Sequence, residues 1–157
     1  MLFSKKGASL LAVANGKAVP LASVPDDAFA SGMLGDGFAI LPSSGTVYAP
    51  ISGQVESITE SKHAYTLRSD DGLDVLIHIG IDTVSLKGEG FLPMVSEGDR
   101  VKAGDVIARV DLNLLRGKNY PTEIVVLISN PEAVEIKKKR TGDVIGGESA
   151  VLDYKLK

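Results

Sequence analysis

HAYTLRSDDGLDVLIH, residues 63–78, reads as two short strands folded back on one another. In the second strand, Val75 and Ile77 point one way, and Leu76 and His78 the other. In the first, His63, Tyr65 and Leu67 share a face. Ser69-Asp70-Asp71-Gly72 between them is turn chemistry. Residues opposed across an antiparallel hairpin have a constant sum of numbers. A turn centred between Asp70 and Asp71 makes that sum 141, which sets His63 directly across from His78. Directly opposed Cβ atoms lie roughly 4.5–5.5 Å apart, so the rings would reach one another. A three-residue loop with Gly72 in a bulge is the alternative. It moves the sum to 142 and sends the rings to opposite faces.

These are the chain's only two histidines. A ring that titrates near neutrality is an unusual choice for an apolar strand such as DVLIHIG, residues 74–80. Two neutral imidazoles pack poorly against each other, and two ionised ones repel. They suit an oxyanion that one ring carries covalently and the other contacts through N–H. A phosphoryl group fits, because a neutral imidazole nitrogen attacks phosphorus without first losing a proton and gives a product that passes the group on. Phosphoryl transfer depends mostly on positioning and electrostatics, which a small rigid β scaffold can supply.

Composition limits the alternatives. A chain of 157 residues with 44% hydrophobic content suits one domain, residues 1–157, with a real core. Net charge is −3 with both signs mixed along the chain, against a nucleic-acid binder. The run Lys137–Arg140 is the one basic exception and reads as a solvated face or turn. With no cysteine, the chain has no disulfide and no thiolate chemistry. No apolar run approaches the roughly 20 residues of a membrane span. SKKGASLLAVANG, residues 4–16, imitates a leader, yet LLAVANGKAVPL (10–21) also reads as two strands around an Asn15-Gly16 hairpin turn. The hairpin reading is adopted, with a cytoplasmic location.

Seventeen glycines, frequent turn signals and short β-branched runs predict an all-β domain. Strands are expected at 37–41, 46–48, 54–58, 64–68, 73–79, 106–111 and 123–129. Two short helical turns are expected. One is capped by Ser23 and stopped at Gly32; the other is capped by Asp111 and ends before Gly117. No linker divides the chain.

LIHIGIDTVSLKGEGF, residues 76–91, resembles the signature of the glucose-type enzyme IIA domains of the bacterial sugar phosphotransferase system. ITESKHAYTLRSDDG, MLGDGFAILPSSGTVYAPISG, EGDRVKAGDVI and TEIVVLISN resemble family segments in the same order, from about Leu11 to the C-terminus. The resemblance implies a compact, mostly antiparallel β-sandwich and a phosphoryl relay. The phosphocarrier protein HPr donates, Nε2 of a histidine carries, and a cysteine of an enzyme IIB domain receives. It places the carrier at His78 and the supporting histidine at His63, with Asp82 as an acidic neighbour. Ser61 stands where threonine is expected and keeps the hydroxyl. Phe29, Met33, Leu34, Leu76 and Val84 match a docking surface, while Thr59 stands where phenylalanine can occur. Neither metal nor cofactor is implied, and the membrane is reached only through the permease.

Plainer readings stand beside these. Asp82 could simply cap a turn. Gly80 could only permit a bend, or its carbonyl could accept from Nδ1 of His78 and leave Nε2 free. Phe29, Met33 and Leu34 without the family read as core. Two rival functions remain. One is a metal-dependent hydrolase with His63, His78 and Asp82 as ligands, although there is no HExxH and no third histidine. The other is a lipoyl or biotinyl carrier, which the Gly-Asp turns of EGDRVKAGDVI allow but which lacks the modified lysine between methionines.

Overall fold

The computed structural model describes residues 8–157. Its strands, in chain order, are β1 (Ala8–Leu11), β2 (Gly16–Val19), β3 (Asp36–Pro42), β4 (Thr46–Tyr48), β5 (Gly53–Ile58), β6 (Ala64–Ser69) and β7 (Asp74–Ile79). They continue with β8 (Phe91–Pro93), β9 (Arg100–Val101), β10 (Val106–Val110), β11 (Ile124–Ile128), β12 (Val134–Lys139), β13 (Gly142–Val144) and β14 (Ala150–Leu156). Helices are short: α1 (Asp27–Ala30), α2 (Leu112–Gly117) and isolated 3-10 turns. The expected all-β, mostly antiparallel sandwich is what forms.

The main sheet runs β13-β2-β3-β11-β7-β6-β5-β9, and β1-β14-β12 and β4-β10-β8 form two three-stranded sheets. Pleat alternation divides the main sheet between two apolar clusters. Tyr65, Leu67, Val75, Ile77, Ile79 and Val126 join Val47, Ile107, Val151 and Leu152 of the smaller sheets in the principal core. On the other face Ala39, Val125 and Leu127 are covered by Leu21, Val24, Phe29 and Ile81. All five residues of β11 are therefore buried, as a strand covered on both faces must be. Leu76 and His78 lie on this second face and are only half-buried, because the cover over it ends near them.

The β6–β7 hairpin adopts the bulged register. Ala64 pairs with His78, Tyr65 with Ile77 and Leu67 with Val75, a sum of 142. Ser69 N–H donates to the Leu73 carbonyl (2.8 Å) and Gly72 N–H to the Ser69 carbonyl (3.1 Å). Gly72 has φ +93, the left-handed position that a three-residue loop needs. The expected register of 141 is thus corrected by one residue, because glycine makes the left-handed bulge inexpensive.

Three further expectations change. Asn15-Gly16 is not a hairpin turn: β1 pairs with β14, whereas β2 pairs with β3 and β13. The glycine is needed for close approach instead, since a Cβ at Gly16 would sit 2.0 Å from the Leu41 carbonyl oxygen. Helix α1 is capped by Asp26, whose carboxylate accepts from the N–H groups of Ala28 (2.9 Å) and Phe29 (3.2 Å). Ser23 closes a preceding 3-10 turn through the Pro20 carbonyl. Asp111 caps α2 as expected, accepting from Leu114 N–H at 3.1 Å, while Gly117 is the helix's last residue rather than the one beyond it. Lys137–Lys139 lie in strand β12, with Lys137 paired to Glu135 and Lys139 to Asp36. Lys5 and Lys6 of the leader-like stretch lie outside the described residues. Among the described residues no helix is long and apolar enough to cross a membrane.

Candidate functional site

His78 sits one residue from the end of β7, between buried Ile77 and Ile79. The chain then turns sharply at Gly80, φ +75. A Cβ there would come within 2.5 Å of Thr83 Cγ2 and 3.1 Å of Leu115 Cδ2, so conformation and space both demand glycine. The turn brings the Gly80 carbonyl to 2.8 Å from Nδ1 of His78. A carbonyl only accepts, so Nδ1 carries the proton, and in the neutral ring Nε2 keeps its lone pair.

His63 precedes β6 and lies outside its pleat. Lys62 before it is left-handed (φ +62), and the His63 carbonyl accepts from Ile79 N–H at 2.7 Å. In the bulged register His63 therefore faces Ile79 rather than His78. Its ring nevertheless meets that of His78 edge to face, with centroids 4.8 Å apart and planes at 81°. Alternation fixes side-chain direction only within a strand, and the bend at Lys62-His63 releases the ring from it. The ring is buried, and its Nδ1 is 2.9 Å from Ser61 Oγ and 3.3 Å from Thr59 Oγ1. When Ser61 donates to Nδ1, the proton of neutral His63 lies on Nε2.

Both rings are held neutral at pH 7. Burial, reinforced by the charge of His78, lowers the His63 pKa from 6.5 to about 4. Burial also lowers that of His78, against the Gly80 hydrogen bond and the nearby charges of Asp26 and Asp82, which favour protonation. Asp26 was missed in the sequence. The only signal is its place before the DAFA turn, which marks a cap rather than a neighbour of a histidine 52 residues on.

Asp82 is exposed, with left-handed backbone (φ +62) and no side-chain cap bond, so the simple capping reading fails. Phe29 is 7% exposed, its ring edge-on to His78 with centroids 5.0 Å apart, so it is a wall of the site more than an open surface. Leu76 is half-buried beside it. Met33, Leu34 and Val84 are exposed by 75%, 49% and 58%, unusual for large apolar side chains. A cavity of about 330 Å³ beside Ser61 is lined by Glu60, Val84 and Lys87. A larger cleft of about 700 Å³, lined by Ser52, Asp70, Arg100 and Asp105, lies at the far end of the β6–β7 hairpin, away from the histidines.

Among the described residues no three His, Cys, Asp or Glu side chains gather as a metal site requires, so the hydrolase reading lacks its ligand set. The segment EGDRVKAGDVI forms the β9–β10 turns at the edge of the main sheet, and no modified lysine motif stands there.

Residues 8–134 match the family described as phosphoenolpyruvate-dependent sugar phosphotransferase system, EIIA 1. The chain is 39% identical over 141 residues to the PTS system glucose-specific EIIA component of Haemophilus influenzae, covering 90% of this chain and 85% of that one. It is 42% identical over 145 residues to the glucose-specific EIICBA component of Streptococcus pneumoniae. That match covers 92% of this chain but 20% of the relative, so the chain spans about a fifth of that protein's length. It is 40% identical over 151 residues to a glucoside-specific EIICBA component of Staphylococcus carnosus, covering 96% of this chain and 22% of that one. In structure it resembles the glucose permease IIA of Mycoplasma capricolum, with a TM-score of 0.88 and 34% identity over 98% of this chain and 99% of that one.

Proposed function

The chain belongs to the EIIA 1 family of the phosphoenolpyruvate-dependent sugar phosphotransferase system, and on that premise we propose that it carries a phosphoryl group on Nε2 of His78. The group comes from phosphorylated HPr and goes to a cysteine of an enzyme IIB domain of a sugar permease, at the cytoplasmic side of the membrane. The observation that carries this reading is the 2.8 Å contact of Nδ1 with the Gly80 carbonyl, which leaves Nε2 of a neutral ring as the nucleophile.

In the first step the Nε2 lone pair forms a bond to phosphorus. The P–N bond of the donor's phosphohistidine breaks, and its electron pair stays on the donor ring. In the second step a cysteine thiolate attacks the same phosphorus, the P–N bond to His78 breaks, and the ring is restored. His63, with Ser61 donating to its Nδ1, supplies Nε2–H to the phosphoryl oxygens as charge moves. Phe29 and Leu76 limit water around the phosphohistidine. Met33, Leu34 and Val84 form the apolar surface that the partner proteins cover, and Asp82 adds charge at its rim.

The test is incubation with phosphoenolpyruvate, enzyme I and HPr. One acid-labile, base-stable phosphate is expected per chain, dependent on HPr. Absence of labelling overturns the reading.

A further inference from the structure

The segment after His78 is tied down by a residue that nothing in the sequence singles out. Gly80 N–H donates to the Glu123 carbonyl (2.9 Å) and Ile81 N–H to the Pro121 carbonyl (3.1 Å), so this segment lies along residues 121–123. Asp82 follows in the left-handed region, φ +62 and ψ 16, uncommon for a residue with a Cβ unless its surroundings hold it. Ser85 does so, for its N–H (3.3 Å) and its hydroxyl (3.0 Å) both donate to the Asp82 carbonyl. A hydroxyl has one proton, and here the Asp82 carbonyl takes it. The Tyr120 hydroxyl, 2.5 Å from Ser85 Oγ, is therefore the donor in that contact. Tyr120 is itself anchored: it is half-buried against the principal core, and its N–H donates to the Leu115 carbonyl at 2.9 Å. The bonds thus run in one direction, from a core-anchored phenol through Ser85 to the backbone of Asp82.

We propose that Tyr120 is a positioning residue for partner docking: through Ser85 it holds the 82–86 turn so that the Asp82 carboxylate and the exposed Val84 meet the protein that exchanges phosphate with His78. The proposal rests on the carrier reading above. Tyr120 acts on the encounter and not on the chemistry, because the ring of His78 is oriented separately by the Gly80 carbonyl and lies against Phe29 and His63. Asp26 and Asp82 are the carboxylates whose charge reaches His78, and His63 is the titratable ring in contact with it. The Gly80 carbonyl is fixed independently of the turn, through the bonds of Gly80 N–H and Ile81 N–H to Glu123 and Pro121, so loosening the turn acts on the Asp82 contribution.

The experiment compares Tyr120→Phe, Ser85→Ala and the double variant of the full chain, each of which keeps the apolar packing. Phosphorylated HPr is the donor. The HPr concentration giving half-maximal rate should rise about three- to tenfold in Tyr120→Phe, which loses one hydrogen bond, and at least as much in Ser85→Ala, which loses both bonds of the Ser85 hydroxyl. The maximal rate should hold, and the double variant should be no worse than Ser85→Ala, since that substitution already removes the link through which Tyr120 acts. A second arm uses no partner. The NMR titration midpoint of His78 should fall in Tyr120→Phe toward its value in Asp82→Asn, and combining the two should lower it no further than Asp82→Asn alone. An unmoved half-saturating concentration, or an unmoved midpoint, overturns the proposal. If the wild-type chain accepts no phosphate, the carrier reading falls instead, and the midpoints still show whether Tyr120 sets Asp82.

Discussion

His63 and His78 touch edge to face, centroids 4.8 Å apart, although the strand register pairs His78 with Ala64. The contact belongs to a bend and a strand end, not to a ladder. It places a buried ring with low proton affinity against the ring proposed to carry the phosphoryl group. That division of roles leads to the expectations below.

His78→Gln should abolish labelling by HPr while circular dichroism and the unfolding midpoint stay near wild type, because the side chain is half-buried and its removal leaves both cores intact. Full labelling of this variant would falsify the assignment.

His63→Gln should still accept phosphate, since the nucleophile is untouched, but should pass it to a IIB cysteine about 10²-fold or more slowly, the usual cost of losing a positioned donor to transferring charge, because the amide N–H is not held by Ser61 as the ring is. The two half-reactions are measured separately. An equal loss in both means the roles are divided wrongly.

The lowered pKa of His63 predicts a pH dependence of stability. The unfolded ring binds its proton near pH 6.5 and the folded ring near 4, so between these values the unfolded state holds more protons. The His63 contribution to stability should therefore be complete above pH 6.5 and fall as pH drops toward 4, by at most about 3.5 kcal/mol at about 1.4 per unit. Urea midpoints across this range should lose the His63 part of their slope in His63→Gln and keep the part that the lowered pKa of His78 contributes.

Gly80→Ala should destabilise the protein by about 2–4 kcal/mol, combining left-handed strain with the clash against Thr83 and Leu115. Variant protein that still folds should accept phosphate slowly, as the carbonyl that orients His78 is displaced. Normal labelling kinetics in folded Gly80→Ala would show that the Nδ1 contact is dispensable.

Tyr65→Phe should stabilise the fold by about 1 kcal/mol. The Tyr65 hydroxyl is buried in the principal core without a hydrogen-bond partner among the described residues, and burial raises its pKa to about 12. Urea denaturation of the two proteins decides the sign.

Much of the molecule is determined locally. Period-two alternation in 74–79 sent Val75, Ile77 and Ile79 to one core and left His78 on the other face, because pleat geometry needs only neighbours in sequence. Asp111 as a cap and Gly72 as a turn residue are likewise local, and so are the two histidines with the spacing that made them suspect. The one-residue register was not determined, since Asp70-Asp71-Gly72 supports two loops of nearly equal cost. Tertiary structure decided what depends on distant partners. The separation of β1 from β2 follows from pairing with strands more than 100 residues later, and β12, β13 and β14 were not among the expected strands. Asp26 and Tyr120 are brought near the histidine site by packing across the sheet and past α2, and nothing in their own neighbourhoods encodes it. The ring of His63 reaches His78 because its backbone leaves the strand at Lys62. Alternation extends no further than the hydrogen-bonded ladder that enforces it, and only the folded chain shows where that ladder ends.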